Sequence, residues 1–330
     1  METVLLLAHT EADGSLAKPA LEALAAAKSL GGELHVGLVG EKVRGLGGAA
    51  RVLGVAGAAF AQSRYSTDAA AAEALCRASG ASIVIAPGTS RWSRALPGVA
   101  FRLGGRVDAH ATSLAIENGA PAVTRWFYRQ RMEAVLTRSQ RPWIVLLDPG
   151  CVPAWSGELV DATVETVAVP AVKMRTTVTG TRSPEAGEQT IRPDARLLFV
   201  AGAGWTKKQA DGATHTAEAE KLILNFLRAT QASLGGSKSL VDLSGEGEAV
   251  LRFMTHLNQI GQTGATPRHP KGLSTCCHGE EPHAVGWRFI GQRRAVNLDP
   301  NCGWARGKAD VLYVADAFEV MRQVNALLQG

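Results

Sequence analysis

The chain has 330 residues, 46% apolar and 20% charged, which is the composition of a globular protein long enough for two domains. Its formal net charge is only +5, with Lys and Arg scattered along the chain, and this argues against a nucleic-acid binder. No apolar run approaches a membrane span, and the five cysteines (Cys76, Cys151, Cys276, Cys277, Cys302) form no Cys-x-x-Cys pair, so a cytoplasmic protein with reduced thiols and no metal site is expected.

Met1-Glu2-Thr3 leads straight into VLLLAH, an apolar run of strand length that is too short for a secretion signal. EADGSLAK follows as a polar turn. Pro19 stands where a first helical turn should start, PALEALAAAKSL has helical spacing, and Gly31-Gly32 end it. ELHVGLVG then reads as a strand, completing a βαβ unit of the kind that builds a parallel sheet. AAAEALCRASG predicts a helix, ASIVIAPG a buried strand, and SRWSRALPGVAFRLG a helix with an internal proline. VDAHATSLAIENGAPAVTRWFY, MEAVLTR and WIVLLDPG read as strands joined by turns, and ATVETVAVP as an edge strand. Arg125, Arg129, Arg131, Arg138 and Arg141 cluster here and read as a solvated basic face.

Residues 176–195 are polar and rich in Pro, Gly and Thr, the texture of a linker between domains at 1–175 and 196–330. The βα rhythm then restarts. RLLFVAGAG predicts a strand with a glycine turn, AEAEKLILNFLRATQASLG an amphipathic helix, SKSLVDL a short extended segment, and GEAVLRFMTHLNQ a helix. RRAVNLD and ADVLYVAD read as strands and AFEVMRQVNALL as a terminal helix. The expected fold class is α/β, two domains, each a mainly parallel sheet flanked by helices, the second Rossmann-like.

In open α/β sheets ligands bind where strands hand over to loops at their C-terminal ends. That rule singles out AGAGW (201–205), GGSKS (235–239), GQTG (261–264), HGEEPHAVGW (278–287) and NLDPN (297–301). Each combines small residues with a few polar groups. GAG lacks the third glycine of the dinucleotide fingerprint, and no Walker, Gly-x-Ser-x-Gly or His-Glu-x-x-His sequence is present.

Taken together, these pieces resemble the electron transfer flavoprotein alpha subunit over nearly the whole chain. The resemblance is carried by GSLAKPALEALAAAKSLGGELHVGLVGE and IVIAPGTSRWSRALPGVAFRL in the first half. In the second half it is carried by the threonine loop Gly261–Gly264, the loop with Gly279, His283 and Gly286, the element Asn297-Leu298-Asp299-Pro300, and Ala309-Asp310. The resemblance implies FAD on the second domain, completed by a beta-type subunit in a heterodimer, with AMP admitted only in that partner. It implies electrons taken from a donor flavin dehydrogenase (methylated-amine oxidation is one such pathway) and passed to a quinone-linked acceptor. Thr263, with Gln262 and Gly264 beside it, would hydrogen-bond the flavin near N5, and His283 would face its O2 carbonyl. His278 and Gly279 would line the cofactor loop, Ser237 and Lys238 would touch the cofactor, and Asn297 and Asp310 would hold the adenosine end. A donor at N5 and a proton-accepting histidine, with an ordinary pKa of about 6.5, would favour negative charge added to the ring.

The sequence also departs from that family. The turn Gly202-Ala203-Gly204-Trp205 lacks the family's arginine, leaving Lys207 or Lys208 to meet a pyrophosphate. Ser237-Lys238 replaces a Ser-Arg pair and so lacks the planar guanidinium fork. Glu280, Glu281 and Pro282 replace apolar residues of the cofactor loop, and Arg129-Gln130-Arg131 replace small ones. Two alternatives stand beside the carrier. One is a non-catalytic nucleotide-binding scaffold or assembly subunit of a dehydrogenase complex, with weakened or lost FAD and binding AMP or ATP without visible colour. The other is a nucleotide-binding dehydrogenase acting on its own substrate, for which the first domain lacks the glycine fingerprint.

Overall fold

A computed structural model describes residues 2–45, 47–127, 132–157, 162–180, 191–192, 195–242, 249–261, 265, 267–275, 290–301 and 309–329. The chain forms two compact units, Met1–Arg182 and Ser183–Gly330. Each is an α/β unit with its own mainly parallel sheet and flanking helices.

The first unit runs β1 (Thr3–His9), α1 (Lys18–Ser29), β2 (Glu33–Gly40), β3 (Arg51–Ala56), α2 (Ala58–Ala61), α3 (Tyr65–Ser79), β4 (Ile83–Pro87) and α4 (Ser90–Arg102). It continues with β5 (Arg106–Glu117), β6 (Ala120–Phe127), β7 (Met132–Leu136), β8 (Trp143–Leu147) and the two-residue β9 (Glu165–Thr166). The described strands form one sheet in the order β7-β6-β5-β8-β4-β1-β2-β3-β9. Pairing is parallel except along β5-β6-β7, a meander that extends one edge. Strands β1, β4 and β8 are nearly continuous apolar runs because helices cover both sheet faces. Alternation decides which face each side chain serves. Val4, Leu6 and Ala8 join the cluster containing α1, and Leu5 and Leu7 the cluster containing α3 and α4. Each fully buried leucine contributes about 1.5–3 kcal/mol of transfer free energy.

The basic cluster is not the solvated face expected. Asp108, nearly fully buried, accepts hydrogen bonds from Arg125 (3.0 Å), Arg138 (2.9 Å) and the Trp143 indole (2.9 Å). Arg141 pairs with Glu2. Burial works against the Asp108 carboxylate, but Arg138, Trp143 and Arg125 together hold its pKa below the ordinary value. Arg129 and Arg131 lie outside the described residues.

The second unit runs β10 (Leu197–Ala201), a 3-10 turn (Ala203–Thr206), α5 (Thr216–Thr230), β11 (Ser233–Gly236), α6 (Lys238–Asp242) and a second 3-10 turn (His256–Asn258). It ends with β12 (Lys271–Thr275), β13 (Gln292–Asn297), β14 (Val311–Val314) and α7 (Ala317–Gln329). All pairs are parallel, in the order β11-β10-β12-β13-β14. Counted along this unit the order is 2-1-3-4-5, the doubly wound arrangement of flavodoxin-like sheets rather than the 3-2-1-4-5-6 order of dinucleotide folds. Phe199, Trp205, Ile223, Phe226 and Phe318 fill the core on the α5–α7 side.

Several expected elements differ. Helix α5 stops at Thr230 because Gln231 adopts a left-handed conformation (φ 53°), and the strand is Ser233–Gly236. SKSLVDL is therefore not extended; Ser237 accepts the Leu240 N–H (3.2 Å) at the start of α6. In GEAVLRFMTHLNQ the described residues 249–258 form turns, not an α-helix. Thr255 and Asn258 cap each other there, and the Asn258 amide reaches the Leu234 carbonyl. Neither β3 nor β12 was expected. KGLST is short and weakly apolar, yet it pairs on both sides between β10 and β13.

Candidate functional site

With every strand of the second unit parallel, all five C-terminal ends meet at one sheet edge, where strand carbonyls give way to the N–H groups that open turns and helices. The Ser237 N–H donates to the Ala201 carbonyl (3.0 Å), tying the end of β11 to the end of β10. Lys238 opens α6 and pairs with Asp242. The base of the Gly261–Gly264 loop is fixed beside them. The Ile260 N–H bonds the Gly236 carbonyl (3.1 Å), and the Gly261 N–H bonds the Ala265 carbonyl (2.9 Å). Gly261 has φ 116°, a conformation that side-chain-bearing residues rarely adopt.

At the centre of this edge Thr275 ends β12. Its hydroxyl donates to the Val200 carbonyl (3.1 Å) and accepts the Trp205 indole N–H (2.9 Å). Trp205 is fully buried, so the turn after β10 is locked by an indole rather than opened by a charged side chain. The cations come next: Lys207 and Lys208 are exposed, and the Gln209 amide holds their loop by donating to the Gly204 (3.0 Å) and Lys207 (2.7 Å) carbonyls.

Asn297 ends β13 and is buried; its side-chain oxygen accepts the Asp299 N–H (3.2 Å), and its carbonyl accepts the Ala315 N–H (3.1 Å). Asp316 follows β14 and caps α7 by accepting the Phe318 N–H (2.8 Å). Lys207, Lys208, Gln209, Asn297, Leu298 and Asp316 surround a cleft of about 330 Å³. The cleft therefore offers two ammonium groups, one carboxylate and two amides around an apolar floor, a set of polar groups suited to phosphate and hydroxyls.

The structure thus brings Ser237, Lys238 and Asn297 to one edge. Asp310 is not with them. It precedes β14, accepts the Arg293 N–H (2.7 Å) and the Arg293 guanidinium (3.1 Å), and pins the starts of β13 and β14 together. Those backbone and side-chain bonds hold its pKa below the ordinary value. Arg293 lies four residues before Asn297 along β13, so Asp310 sits about 13 Å away at the opposite sheet edge. The acid that reaches the C-terminal edge is Asp316. The chain has two Ala-Asp pairs, 309–310 and 315–316, and the one after the strand, not the one before it, meets the strand-end rule. Gln262, Thr263, Gly264, His278, Gly279 and His283 lie outside the described residues. Among the described residues no His, Cys, Asp and Glu cluster could hold a metal ion, and no helix is long and apolar enough to cross a membrane.

The family model described as electron transfer flavoprotein domain matches residues 4–173, about half the chain and within the first unit. No curated protein matches the chain.

Proposed function

Because the chain belongs to the electron transfer flavoprotein family, we propose that it is the alpha-type subunit of such a carrier and holds FAD on its second unit. The observation that carries this reading is the C-terminal sheet edge. It gathers Ser237, Lys238, Asn297 and Asp316 beside Lys207 and Lys208 on a 2-1-3-4-5 sheet. The described residues suit one end of the cofactor. The cleft has the volume of a mononucleotide, the lysines suit its phosphates, and Asp316 and Asn297 suit ribose hydroxyls. The isoalloxazine end falls to Gln262, Thr263, Gly264, His278, Gly279 and His283. FAD, when bound, supplies the electron-carrying ring; the protein orients it, screens it from water and sets its potential through the groups it places beside it. The domain division at 175 and 195, a beta-type partner in a cytoplasmic heterodimer, a donor flavin dehydrogenase (of methylated amines, for example) and a quinone-linked acceptor belong to the same reading.

The test is the visible spectrum of the chain purified with its co-expressed beta-type subunit, before and after incubation with FAD. Flavin absorbance lost on Asp316→Ala but kept on Asp310→Ala supports the assignment. A second reading is favoured by Trp205, which closes the turn where the family carries an arginine: a scaffold subunit with weakened or lost FAD. A complex that stays colourless with added FAD would select it.

A further inference from the structure

Helix α7 carries more apolar surface than its core takes up. Ala317, Phe318 and Met321 are buried in the cluster they share with α5, whereas Val320 and Val324, one turn apart on a second face, are only half-buried. With Leu273, Val296 and Tyr313 from β12, β13 and β14 they line a groove of about 490 Å³. Tyr313 is 46% exposed, so the groove is reached from solvent. It shares only Ala315 with the cleft between Lys207 and Asp316, and the flavin reading makes no use of it.

One end of the groove is charged. The parallel register sets Lys271 opposite Gln292 and Leu273 opposite Arg294. Lys271 and Arg294 therefore stand diagonally on one sheet face, ~8 Å apart by strand spacing and rise. Both line the groove. Neither side chain has a hydrogen-bond or ion-pair partner among the described residues, and no carboxylate lines the groove among those residues. The acids nearest in the fold are committed elsewhere. Asp310 holds Arg293, which alternation puts on the other face of β13, and Glu218 and Glu319 both take Arg322. Two like charges on one face repel, and an anion held between them removes that cost.

The rest of the lining limits what that anion is. Beyond the two cations its polar side chains are the Gln292 amide and the Tyr313 hydroxyl, and the backbone groups of β12 and β13 are paired within the sheet. An extended peptide would bring an N–H and a carbonyl with every residue, more than these two groups can satisfy. A sugar would bring hydroxyls with no carboxylate to accept them. A saturated chain brings neither, and a mostly apolar pocket with a few fixed polar groups suits it.

We propose that this groove is a binding site for a medium-chain aliphatic carboxylate, with the carboxylate between Lys271 and Arg294 and the chain along Leu273, Val296, Val320 and Val324. The site is independent of the flavin reading.

The test is calorimetric titration of the full chain with hexanoate, octanoate and decanoate, with acetate and 1-octanol as probes of the head and the chain alone. One saturable site is expected, with affinity rising about fourfold per methylene along the series. Acetate should show no saturable binding, and 1-octanol should bind more weakly than octanoate. Lys271→Met and Arg294→Met keep an apolar stem and remove the charge from side chains that no described residue pairs with. Each should weaken octanoate roughly fivefold or more, with 1-octanol binding and the melting temperature unchanged. Asp316→Asn should alter none of these values. No saturable binding of any carboxylate overturns the proposal. So does affinity that is independent of chain length, and so does octanoate binding that survives both methionine substitutions. If the complex with the co-expressed beta-type subunit excludes octanoate that the free chain binds, the groove is a protein interface and the proposal fails.

Discussion

At the residue scale, the largest electrostatic commitments sit under the first unit's sheet rather than on its surface. Asp68 is fully buried and shared between Arg91, Arg94 and His9. Asp68→Ala leaves Arg91 without its carboxylate and should cost about 3–5 kcal/mol in denaturant unfolding. Burial opposes the Asp68 carboxylate, but the bonds from His9 and Arg91 prevail and lower its pKa in the folded state. The group therefore contributes its full stability above the unfolded value of about 3.9 and loses it as pH falls through the lower folded value. Asp108 behaves in the same sense. Unfolding free energy measured from pH 6 downward should decline below about pH 4, and less steeply in Asp68→Asn. Cys76 is the opposite case: burial pushes its thiol up to about 12. It should resist alkylation at pH 8 in the folded protein and react on denaturation.

At the element scale, the most continuous apolar strands were legible, but burial on both faces was not enough: β3 places Val52 in one core cluster and Leu53 and Val55 in the other, yet its glycine and flanking Arg51 hid it, as weak apolar content hid β12. VLLLAH, IVIAP and WIVLL announce themselves by apolar content, whereas KGLST occupies a central position with a glycine, a serine and a threonine whose hydroxyl bridges to β10. The helix α5 was legible, but its end depended on Gln231 entering a left-handed conformation, which no residue preference signals. The strand-end rule located Ser237 and Asn297. Asp310 came instead from the family resemblance; two identical dipeptides flank one short strand, and the register puts Asp310 before β14 and Asp316 after it. The Asp68–Arg91–His9 network was invisible because its members are scattered over residues 9–94. One close approach also ties an unlabelled segment to the first unit. A Cβ on Gly45 would stand 1.7 Å from the Ala162 carbonyl oxygen. Gly45→Ala must displace backbone rather than a side-chain tip, and a loss of about 1–3 kcal/mol is expected in thermal unfolding.

At the scale of the whole molecule, each unit carries separate clusters of buried residues and its own sheet. Residues 1–182, which contain the family match, should therefore fold when expressed alone, with a single cooperative transition by circular dichroism.

The topology of the second sheet also sets an order in time. Its first strand to leave the ribosome, β10, is flanked by β11 and β12, and β12 begins 70 residues after β10 ends (271 minus 201). At about 5–20 residues per second, β10 waits on the order of 4–14 s for its second neighbour. Until then the Trp205 indole has no Thr275 to meet, and Leu198 and Val200 have no Ile290 beside them. The nascent chain thus exposes a sticky, half-paired strand for seconds, and it does so twice, because β4 likewise begins 74 residues after its neighbour β1 ends (83 minus 9).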